Sequence, residues 1–339
     1  MPEERRKLVV VTGAGGFLGG HIVARLLLAG YDVRGTLRSL SRAKSVEADI
    51  RKFADAGGEL SFVEADLLSD RGWQEVMAGA DYAIHTASPF PSSQPKHEED
   101  LVKPALEGTL RVLGAAKAAG IKRVVVTSSI AATNYGGGNP PFTEDDWTDV
   151  DGPLTVPYYK SKTVAERAAW DFARQEDLEI AVINPGMVLG PILGRRTGTS
   201  TGVIRSLLKG KYPALPDFRV SVVDVRDAAE AHVLAIGVPE AAGQRFIVAT
   251  ETLSMRAIAD ILRQSFPGEA KKVPRFVLPN WLVRLATPFD AGLRLIVKEL
   301  GRDARVSNEK ARRILEWKPR TAEEAVQATA ASLLDAGMV

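Results

Sequence analysis

The sequence of 339 residues contains no cysteine, which excludes disulfides, thiolate metal sites and cysteine nucleophiles. Its four histidines are scattered without the spacing of a zinc site, so no metal is expected. No apolar run approaches the roughly 20 residues that a membrane-spanning helix needs. An excess of charge is also missing, because 44 Lys and Arg face 42 Asp and Glu. We therefore expect neither nucleic acid nor a membrane as partner.

The first residues do not have the pattern of a secretory signal. Arg5, Arg6 and Lys7 precede the apolar stretch Leu8–Val11, but a signal needs an apolar core of about 7–15 residues. We interpret the stretch as a first strand behind a solvated basic segment. A chain without cysteine is compatible with a reducing compartment, and we expect a cytoplasmic protein, either monomer or homodimer.

Short β-branched runs alternate with segments of helical periodicity from the first residues onward. Strand–helix alternation predicts a parallel sheet covered by helices on both faces, which right-handed crossovers convert into a doubly wound Rossmann sheet of the α/β class. The predicted strands are 8–11, 33–37, 60–63, 82–84, 124–126 and 180–183, and the prominent predicted helices are 17–29, 101–119 and 158–175.

Beyond about residue 185 the pattern loosens, because proline and glycine interrupt it. We predict a Rossmann domain over 1–184 and a smaller C-terminal α/β lobe over 185–339, with a return of the chain to the first domain around 220–250. Phe246–Ala249 and the segment around Val273 are predicted as strands of the smaller unit. Leu278–Leu300 is predicted as an amphipathic helix packed on that lobe, since charged residues interrupt it.

A glycine-rich loop, TGAGGFLG, occupies Thr12–Gly19 between the first predicted strand and helix. Gly13 permits a tight turn, Gly16 lets the backbone approach a pyrophosphate, and Gly19 lets the helix pack closely. The helix N-terminus offers free N–H groups and a partial positive charge to phosphates. Glycines also serve bare turns, but the flanking strand and helix are the context that dinucleotide binding requires.

The end of the second predicted strand distinguishes NADP from NAD. It has no acidic residue to accept a hydrogen bond from the ribose 2′-hydroxyl of NAD. Arg38 stands at that place, and Arg42 and Lys44 follow. Arginine can bind a 2′-phosphate through two parallel hydrogen bonds, so we favour NADP(H). The alternative is a solvated basic start of a helix.

Asp66 and Leu67 follow the third predicted strand. The Asp66 carboxylate could accept a hydrogen bond from an adenine amino group, or it could cap the next helix. The two interpretations are compatible if Asp66 faces the base and Ser69 caps the helix.

Tyr158 and Lys162 form a Tyr-x-x-x-Lys pair on one face of a predicted helix. The Lys162 ammonium is expected to favour the phenolate and to lower the pKa of Tyr158 from about 10 toward working pH, as a general acid needs. Tyr159 lacks such a partner, because Thr163 lies four residues later. The pair also occurs on solvated helices, so alone it assigns no reaction.

Ser128 and Ser129 follow the fifth predicted strand, at the edge of a parallel sheet where ligands bind. A hydroxyl there can hold a substrate carbonyl oxygen while a phenol protonates it. From position alone the two serines compete for this role, and both also fit as turn residues.

The glycine loop, Arg38, Ser129 and the Tyr158–Lys162 pair stand in the same order as in the extended short-chain dehydrogenase/reductases. The sequence resembles most the branch of dihydroflavonol 4-reductases, cinnamoyl-CoA reductases and microbial aldehyde/ketone reductases. The resemblance covers nearly the whole chain, through the segments VTGAGGFLG, VRGTLRS, VEADLL, HTASP, TSSIAATN, YYKSKTVAE, INPGMVLGP, SVVDVRDAAEAH and KARRILEWKPRTAEEA.

The resemblance implies an NADP-binding Rossmann domain, a C-terminal substrate lobe and a set of site residues. Ser129, Tyr158 and Lys162 are then catalytic, with Tyr158 as proton donor and Lys162 on the nicotinamide ribose. Asn134 matches a substrate-facing asparagine. The implied cofactor contacts are Gly13, Gly15, Gly16, Phe17, Leu18, Gly19, Arg38, Lys44, Asp66, Leu67, Thr86, Ser88, Tyr158, Lys162, Pro185, Gly186 and Val188.

The expected function is NADPH-dependent reduction of a small or medium apolar aldehyde or ketone. The alternatives are a nucleotide-sugar epimerase or dehydratase, a 3β-hydroxysteroid-type dehydrogenase, and a cofactor-sensing protein without turnover. Ile130 and Ala131 stand where such dehydratases carry acidic residues, and the retained tyrosine and lysine disfavour a mere sensor. Departures at Ile130–Thr133 and Gly136–Gly138 disfavour a flavonoid substrate.

Three other polar sites are expected to be structural. His85 is predicted as a hydrogen-bonding residue behind a buried strand, and His232 as part of a helix that packs the two lobes together. Glu144–Asp146 is predicted as a solvated loop before Trp147.

Overall fold

The computed structural model describes residues 5–54, 57–88, 97–287 and 296–339. The strands in these ranges are β1 (Leu8–Thr12), β2 (Asp32–Leu37), β3 (Leu60–Glu64), β4 (Tyr82–His85), β5 (Arg123–Thr127), β6 (Ile180–Pro185), β7 (Met187–Leu189), β8 (Arg219–Asp224), β9 (Arg245–Val248) and β10 (Thr252–Ser254). Seven of them form a parallel sheet in the order β3-β2-β1-β4-β5-β6-β9. The predicted α/β fold class is confirmed.

Helices cover both faces of this sheet. They are α1 (Phe17–Leu28), α2 (Ala43–Arg51), α3 (Trp73–Met77), α4 (Glu99–Ala118), α5 (Pro157–Glu176), α6 (Thr199–Leu208), α7 (Val225–Gly237), α8 (Met255–Ser265) and α9 (Asn280–Ala286), followed by Glu309–Ile314 and Ala322–Asp335. In the described part of the chain, no helix is long and apolar enough to cross a membrane.

The central strand β1 shows why both faces must be covered. Val9, Val10 and Val11 are all fully buried, and successive side chains of a strand point to opposite faces. Val9 and Val11 therefore join the apolar core with α1 and α7, whereas Val10 joins the core with α3, α4 and α5. A continuous apolar run is the pattern of a strand that is buried on both sides.

The seventh strand of the large sheet comes from far along the chain. β9 pairs in parallel with β6, and Phe246 and Val248 lie in the same core as α1. The prediction that Phe246–Ala249 belongs to the smaller unit is therefore wrong. An apolar run indicates a buried strand, but the sheet that it joins depends on the path of the preceding helix α7.

A second sheet of three strands has the order β10-β8-β7, with β8 parallel to β7 and antiparallel to β10. Its apolar core includes residues of α6, α8 and the helix Ala322–Asp335. The predicted strand around Val273 is wrong, because a short 3₁₀ helix occupies Ala270–Lys272. Pro274 follows, and it has no N–H to give to a strand ladder.

The predicted helix Leu278–Leu300 is only partly comparable with the structure. It is present as α9, over Asn280–Ala286, and a 3₁₀ turn follows at Val297–Glu299. The intervening residues 288–295 lie outside the described residues.

Candidate active site

The loop between β1 and α1 folds tightly around its first and last glycines. Gly13 has a φ of +71°, in the region that favours glycine. A Cβ atom on Gly19 would lie 2.2 Å from the Gly13 carbonyl oxygen, so a side chain there would displace the backbone. The N-cap residue Gly16 has no side chain, so no N-cap side chain occupies the first-turn N–H groups of α1. The other predicted loop residues, Gly15, Phe17 and Leu18, lie in the same turn.

A buried hydrogen-bond cluster holds the end of β4 against this loop. The Thr12 hydroxyl accepts from the backbone N–H groups of Thr86 and Ala87, at 3.1 and 3.0 Å, and is hydrogen-bonded to His85 Nδ1 at 2.9 Å. Burial, and then the charge of Lys162, lower the pKa of His85 to about 3, so its ring is neutral. The structural role predicted for His85 is confirmed, and Thr86 and Ser88 lie beside the glycine loop.

Three exposed cations stand where β2 passes into α2. Arg38, Arg42 and Lys44 are solvent-exposed, and none of them forms a salt bridge within the described residues. The adjoining Leu37 side chain would lie 2.9 Å from a Cβ atom on Gly15, so this strand end borders the glycine loop. The arrangement fits an anionic group near the ribose end of a dinucleotide.

Asp66 is exposed, and its Oδ1 accepts from the Leu68 backbone N–H at 3.0 Å. Ser69 does not cap the next helix, because α3 begins at Trp73 with Gly72 as its N-cap. The predicted cap is therefore wrong: the Trp73 indole N–H donates to the Asp66 and Ser69 carbonyls and orders a turn before the helix. Leu67 is half-buried in this turn.

The end of β6 passes directly into the second sheet. Pro185 is its last residue, and Val188 lies in β7. The Gly186 N–H donates to the Val248 carbonyl at 3.1 Å. A Cβ atom on Gly186 would lie 2.3 Å from the Ser221 carbonyl oxygen, so the two sheets meet closely at this glycine.

Tyr158, Lys162 and Ser129 converge at the carboxyl end of β5. Helix α5 begins at Pro157, so Tyr158 lies in its first turn and Lys162 one turn later on the same face. Ser129 is extended and caps a 3₁₀ turn after β5. The hydroxyls of Tyr158 and Ser129 share a hydrogen bond. The structure therefore brings together the three residues predicted as catalytic.

The protonation of this group differs from the sequence-based prediction. Burial raises the pKa of Tyr158 above its ordinary value of 10.0, and the hydrogen bond with Ser129 opposes that shift. The predicted lowering of the Tyr158 pKa is therefore wrong, because burial disfavours the charged phenolate and outweighs the hydrogen bond with Ser129. Burial lowers the pKa of Lys162 to about 8, against an opposing effect of Glu166. The phenol thus keeps its proton, as a proton donor must.

The two adjacent serines have different hydrogen-bond partners. The Ser128 hydroxyl is buried and donates to Glu166 Oε2 at 2.5 Å, whereas Ser129 faces Tyr158. Lys162 lies at a small cavity at the ends of β4 and β5. This cavity is lined by His85, Ala87, Ser88, Ala105, Thr109, Val126, Thr127, Ser128, Lys162, Ala165 and Glu166.

Asn134, predicted to face a substrate, lies deep in the protein. Its side chain is 1% exposed, and its Oδ1 is buried without a hydrogen-bond partner. The next residue, Tyr135, stacks on Tyr159 with ring centroids 3.9 Å apart, and Tyr159 contacts the Tyr158 ring edge-on at 6.0 Å. The unpartnered Asn134 thus directly precedes the stacked pair Tyr135 and Tyr159, and that pair contacts Tyr158.

Sequence reasoning missed a buried carboxylate network behind the serines. Glu166 is 1% exposed and accepts from Ser128, from Asn184 Nδ2 at 2.8 Å and from Arg245 Nε at 2.5 Å. A sequence signal existed, because Glu166 lies four residues after Lys162 and on its helix face. The partners on β6 and β9 had no such signal, since they come from distant segments.

The prediction of a solvated loop over Glu144–Asp146 is wrong for Glu144, whereas Asp145 is exposed. Glu144 is buried, and its Oε1 accepts from the Ile247 N–H at 2.8 Å, while Arg245 donates to the Glu144 and Asp146 carbonyls. The loop is drawn inward because β9 adds to the large sheet beside it. The acidic run itself gave no indication of this burial, because the strand that covers Glu144 lies about a hundred residues later.

The prediction for His232 is confirmed. It lies on α7, which contacts strands of both sheets. Its Nε2 is hydrogen-bonded to the Thr127 hydroxyl at 2.8 Å, and its Nδ1 to the Ala228 carbonyl at 2.7 Å. Burial lowers the pKa of His232 to about 4, so its ring is neutral.

Comparison with known proteins agrees with this geometry. Residues 9–249 match the NAD dependent epimerase/dehydratase family. Cinnamoyl-CoA reductase 1 of Petunia hybrida is 37% identical over 266 residues, which cover 77% of this chain and 78% of that protein. Dihydroflavonol 4-reductase of Hordeum vulgare is 33% identical over 269 residues, which cover 76% and 75%.

A solved structure is similar along the whole chain. Yeast methylglyoxal/isovaleraldehyde reductase Gre2, crystallised with NADPH, has a TM-score of 0.80 and 28% identity, with 98% of this chain and 100% of that chain covered. The resemblance that the sequence motifs indicated is confirmed. The chain belongs to the NAD dependent epimerase/dehydratase family, and within it to the reductase-like branch of the extended short-chain dehydrogenase/reductases.

Proposed function

We propose that this protein is an NADPH-dependent reductase of aldehydes or ketones. The observation that carries the proposal is the hydrogen bond between the Tyr158 and Ser129 hydroxyls, one helical turn from Lys162, at the sheet edge that holds the glycine loop. The similarity to cinnamoyl-CoA and dihydroflavonol reductases, and to a yeast aldehyde reductase crystallised with NADPH, supports it.

The residues present fit NADP(H). The close approach of Gly13 and Gly19 leaves a cradle without side chains at the start of α1, where backbone N–H groups would hold the pyrophosphate. Arg38 and Lys44 would hold the 2′-phosphate as charge-assisted donors. The cofactor would supply a hydride to the substrate carbonyl carbon.

The rest of the proposed cofactor surface follows the sheet edge. Asp66 and Leu67 would border the adenine, and Thr86 and Ser88 the ribose and pyrophosphate. Pro185, Gly186 and Val188 would pack against the nicotinamide. Each group follows a strand of the parallel sheet, and ligands bind beyond such strand ends.

The polar side chains would stabilise the reacting oxygen. Two hydroxyls, those of Ser129 and Tyr158, would donate to the substrate carbonyl oxygen, where negative charge develops. Because burial raises the pKa of Tyr158, the phenol holds its proton until that oxygen takes it. Lys162 would bind the nicotinamide ribose, and its ammonium would stabilise the phenolate left behind.

The neighbouring residues favour an apolar or aromatic carbonyl substrate. The stacked rings of Tyr135 and Tyr159 would form one wall of its site, and the unpartnered Asn134 Oδ1 would accept from a donor group on it. The small α/β lobe over residues 185–339 would close the site. Ile130 and Ala131, in place of acidic residues, disfavour a dehydratase. We place the enzyme in the cytoplasm, as a monomer or homodimer.

An assay of NADPH oxidation with a panel of aliphatic and aromatic aldehydes and ketones tests the proposal. UDP-sugars serve as the alternative substrates, and their epimers are separated by chromatography. We expect NADPH to be consumed only in the presence of carbonyl substrates. Epimerisation of a sugar nucleotide, with no turnover of any carbonyl, would contradict the proposal.

A further inference from the structure

We propose that Glu166 is a positioning residue of the active site, whose buried carboxylate fixes Ser129 and keeps Lys162 in its ammonium form. The effect on catalysis that we expect from Glu166 rests on the proposed function. The charge state of Lys162 can be measured without cofactor or substrate.

Glu166 holds the catalytic serine segment from two sides. Its Oε2 accepts from the Ser128 hydroxyl at 2.5 Å and from Asn184 Nδ2 at 2.8 Å. The same Asn184 amide donates to the Ser129 carbonyl at 3.1 Å. One carboxylate oxygen thereby links α5, which carries Tyr158, to the Ser128 side chain directly and to the Ser129 carbonyl through Asn184. The distance between the two hydroxyls depends on this link.

The other carboxylate oxygen has a permanent cation as its partner. Oε1 accepts from Arg245 Nε at 2.5 Å and from the Trp170 indole N–H at 3.4 Å. Arg245 is itself buried and is fixed by the carbonyls of the loop at Glu144 and by the Trp147 ring, 3.7 Å from its guanidinium carbon. A buried arginine must be paired, and the carboxylate of Glu166 is the partner of Arg245.

Lys162 lies one helical turn before this carboxylate. Burial lowers the pKa of Lys162 to about 8, and the negative charge of Glu166 opposes the shift. Among the described residues that line the cavity at Lys162 from neighbouring elements, His85 on β4 is titratable, and its ring is neutral. Among the described residues that line its cavity, Glu166 is the only anion.

Removal of the charge at Glu166 would therefore deprotonate Lys162 near neutral pH. A neutral lysine amine could not stabilise the phenolate of Tyr158 after proton transfer. Arg245 would add to the effect, because its own charge would then be uncompensated behind the site. Glu166 thus acts through Lys162 and Ser129, without touching the substrate.

The first test is an NMR titration of the protein without cofactor, with isotope-labelled lysine and the Lys162→Arg variant to assign the signal. We expect a midpoint near pH 8 for Lys162 in the wild type, and a midpoint lower by about one unit or more in Glu166→Gln. Asp227→Asn is the matched control, because Asp227 is also buried and paired with an arginine, Arg320, but lies on α7. It should leave the midpoint of Lys162 unchanged.

The second test is the pH profile of carbonyl reduction with NADPH. In Glu166→Gln we expect kcat/KM to fall about tenfold or more and the alkaline decline to move to lower pH, whereas Asp227→Asn keeps the wild-type profile. If Glu166 had only a structural role, Glu166→Gln would lower the melting temperature, as Asp227→Asn does, without moving the pH profile. An unchanged Lys162 midpoint in Glu166→Gln overturns the proposal, even if no carbonyl substrate is ever found.

A second variant keeps the proposal testable if Glu166→Gln does not fold. Glu166→Asp retains the charge and shortens the side chain by one methylene. We expect the Lys162 midpoint to stay near the wild-type value, while kcat falls because the contacts to Ser128 and Asn184 are lost. Wild-type kcat in this variant, or a Lys162 midpoint that follows the loss of contacts, contradicts the positioning role.

Discussion

The hydroxyl of Tyr158 shares a hydrogen bond with the hydroxyl of Ser129, although the two residues are 29 positions apart along the chain. Ser129 reaches this place because β5 ends two residues before it, and Tyr158 because α5 begins at Pro157. Two donors aimed at one point provide a site for an oxygen that gains negative charge.

The two adjacent serines should respond differently to substitution. Ser129→Ala removes a donor to the reacting oxygen, and we expect kcat to fall about 10²–10³-fold. Ser128→Ala removes only a contact to Glu166, so its loss of kcat should be smaller. Steady-state kinetics of the two variants with one carbonyl substrate compares them. Equal losses, or a larger loss in Ser128→Ala, would show that Ser129 does not face the reacting oxygen.

The cations after β2 should determine the preference for NADPH. Arg38→Ser removes a charge-assisted contact to the 2′-phosphate, and we expect the Kd for NADPH to rise about 10–100-fold. The Kd for NADH should change little, because NADH lacks that phosphate. Cofactor fluorescence titration measures both constants. Arg313→Ser, at an exposed position on another helix, is the control; a similar effect there would attribute the change to overall charge.

The glycines of this protein differ in whether the surrounding structure has room for a Cβ atom. Gly19→Ala forces a Cβ atom to within 2.2 Å of the Gly13 carbonyl, so we expect weaker NADPH binding and a lower melting temperature. Gly114→Ala, within α4 where nothing lies within 4 Å of the added carbon, should stabilise the protein by about 0.5–1 kcal/mol. Thermal unfolding of the two variants gives the comparison. A harmless Gly19→Ala substitution would refute the close approach of loop and helix.

Three buried neutral histidines should make the protein sensitive to acid. Burial lowers the pKa of His85 to about 3 and those of His21 and His232 to about 4. Unfolded histidine titrates near pH 6.5, so below about that pH the unfolded chain binds more protons and the free energy of unfolding falls. We expect His232→Gln to reduce this slope by about 1.4 kcal/mol per pH unit at roughly pH 5.

Urea unfolding at several pH values measures the slope. His97→Gln is the control, because His97 is exposed. An equal change of slope in both variants would show that burial of His232 is not its cause.

Sequence patterns predicted the parts of the molecule that depend on neighbours along the chain. The glycine loop lies between a strand and a helix, and the Tyr158–Lys162 pair lies on one helix, so local spacing was sufficient for both. The order of the motifs along the chain then indicated the family. These are the features in which periodicity and turn chemistry determine the structure.

The features that escaped prediction depend on segments that meet only in the folded protein. β9 joins the large sheet through the return of α7, and its Arg245 then pairs with Glu166, 79 positions earlier. The same return buries Glu144, which an acidic run alone would leave in solvent. The pKa of Tyr158 rises because burial outweighs the hydrogen bond with Ser129, and burial is set by tertiary packing.

Substitution of Tyr158 by phenylalanine measures the central claim most directly. The change removes the phenolic hydroxyl and keeps the ring, so single-turnover reduction of a carbonyl by bound NADPH reports on the proton donor alone. The account predicts a loss of at least about 100-fold in the rate, whereas the Kd for NADPH, to which the phenol is one of many contacts, should change far less. A variant that reduces the carbonyl at the wild-type rate would contradict it.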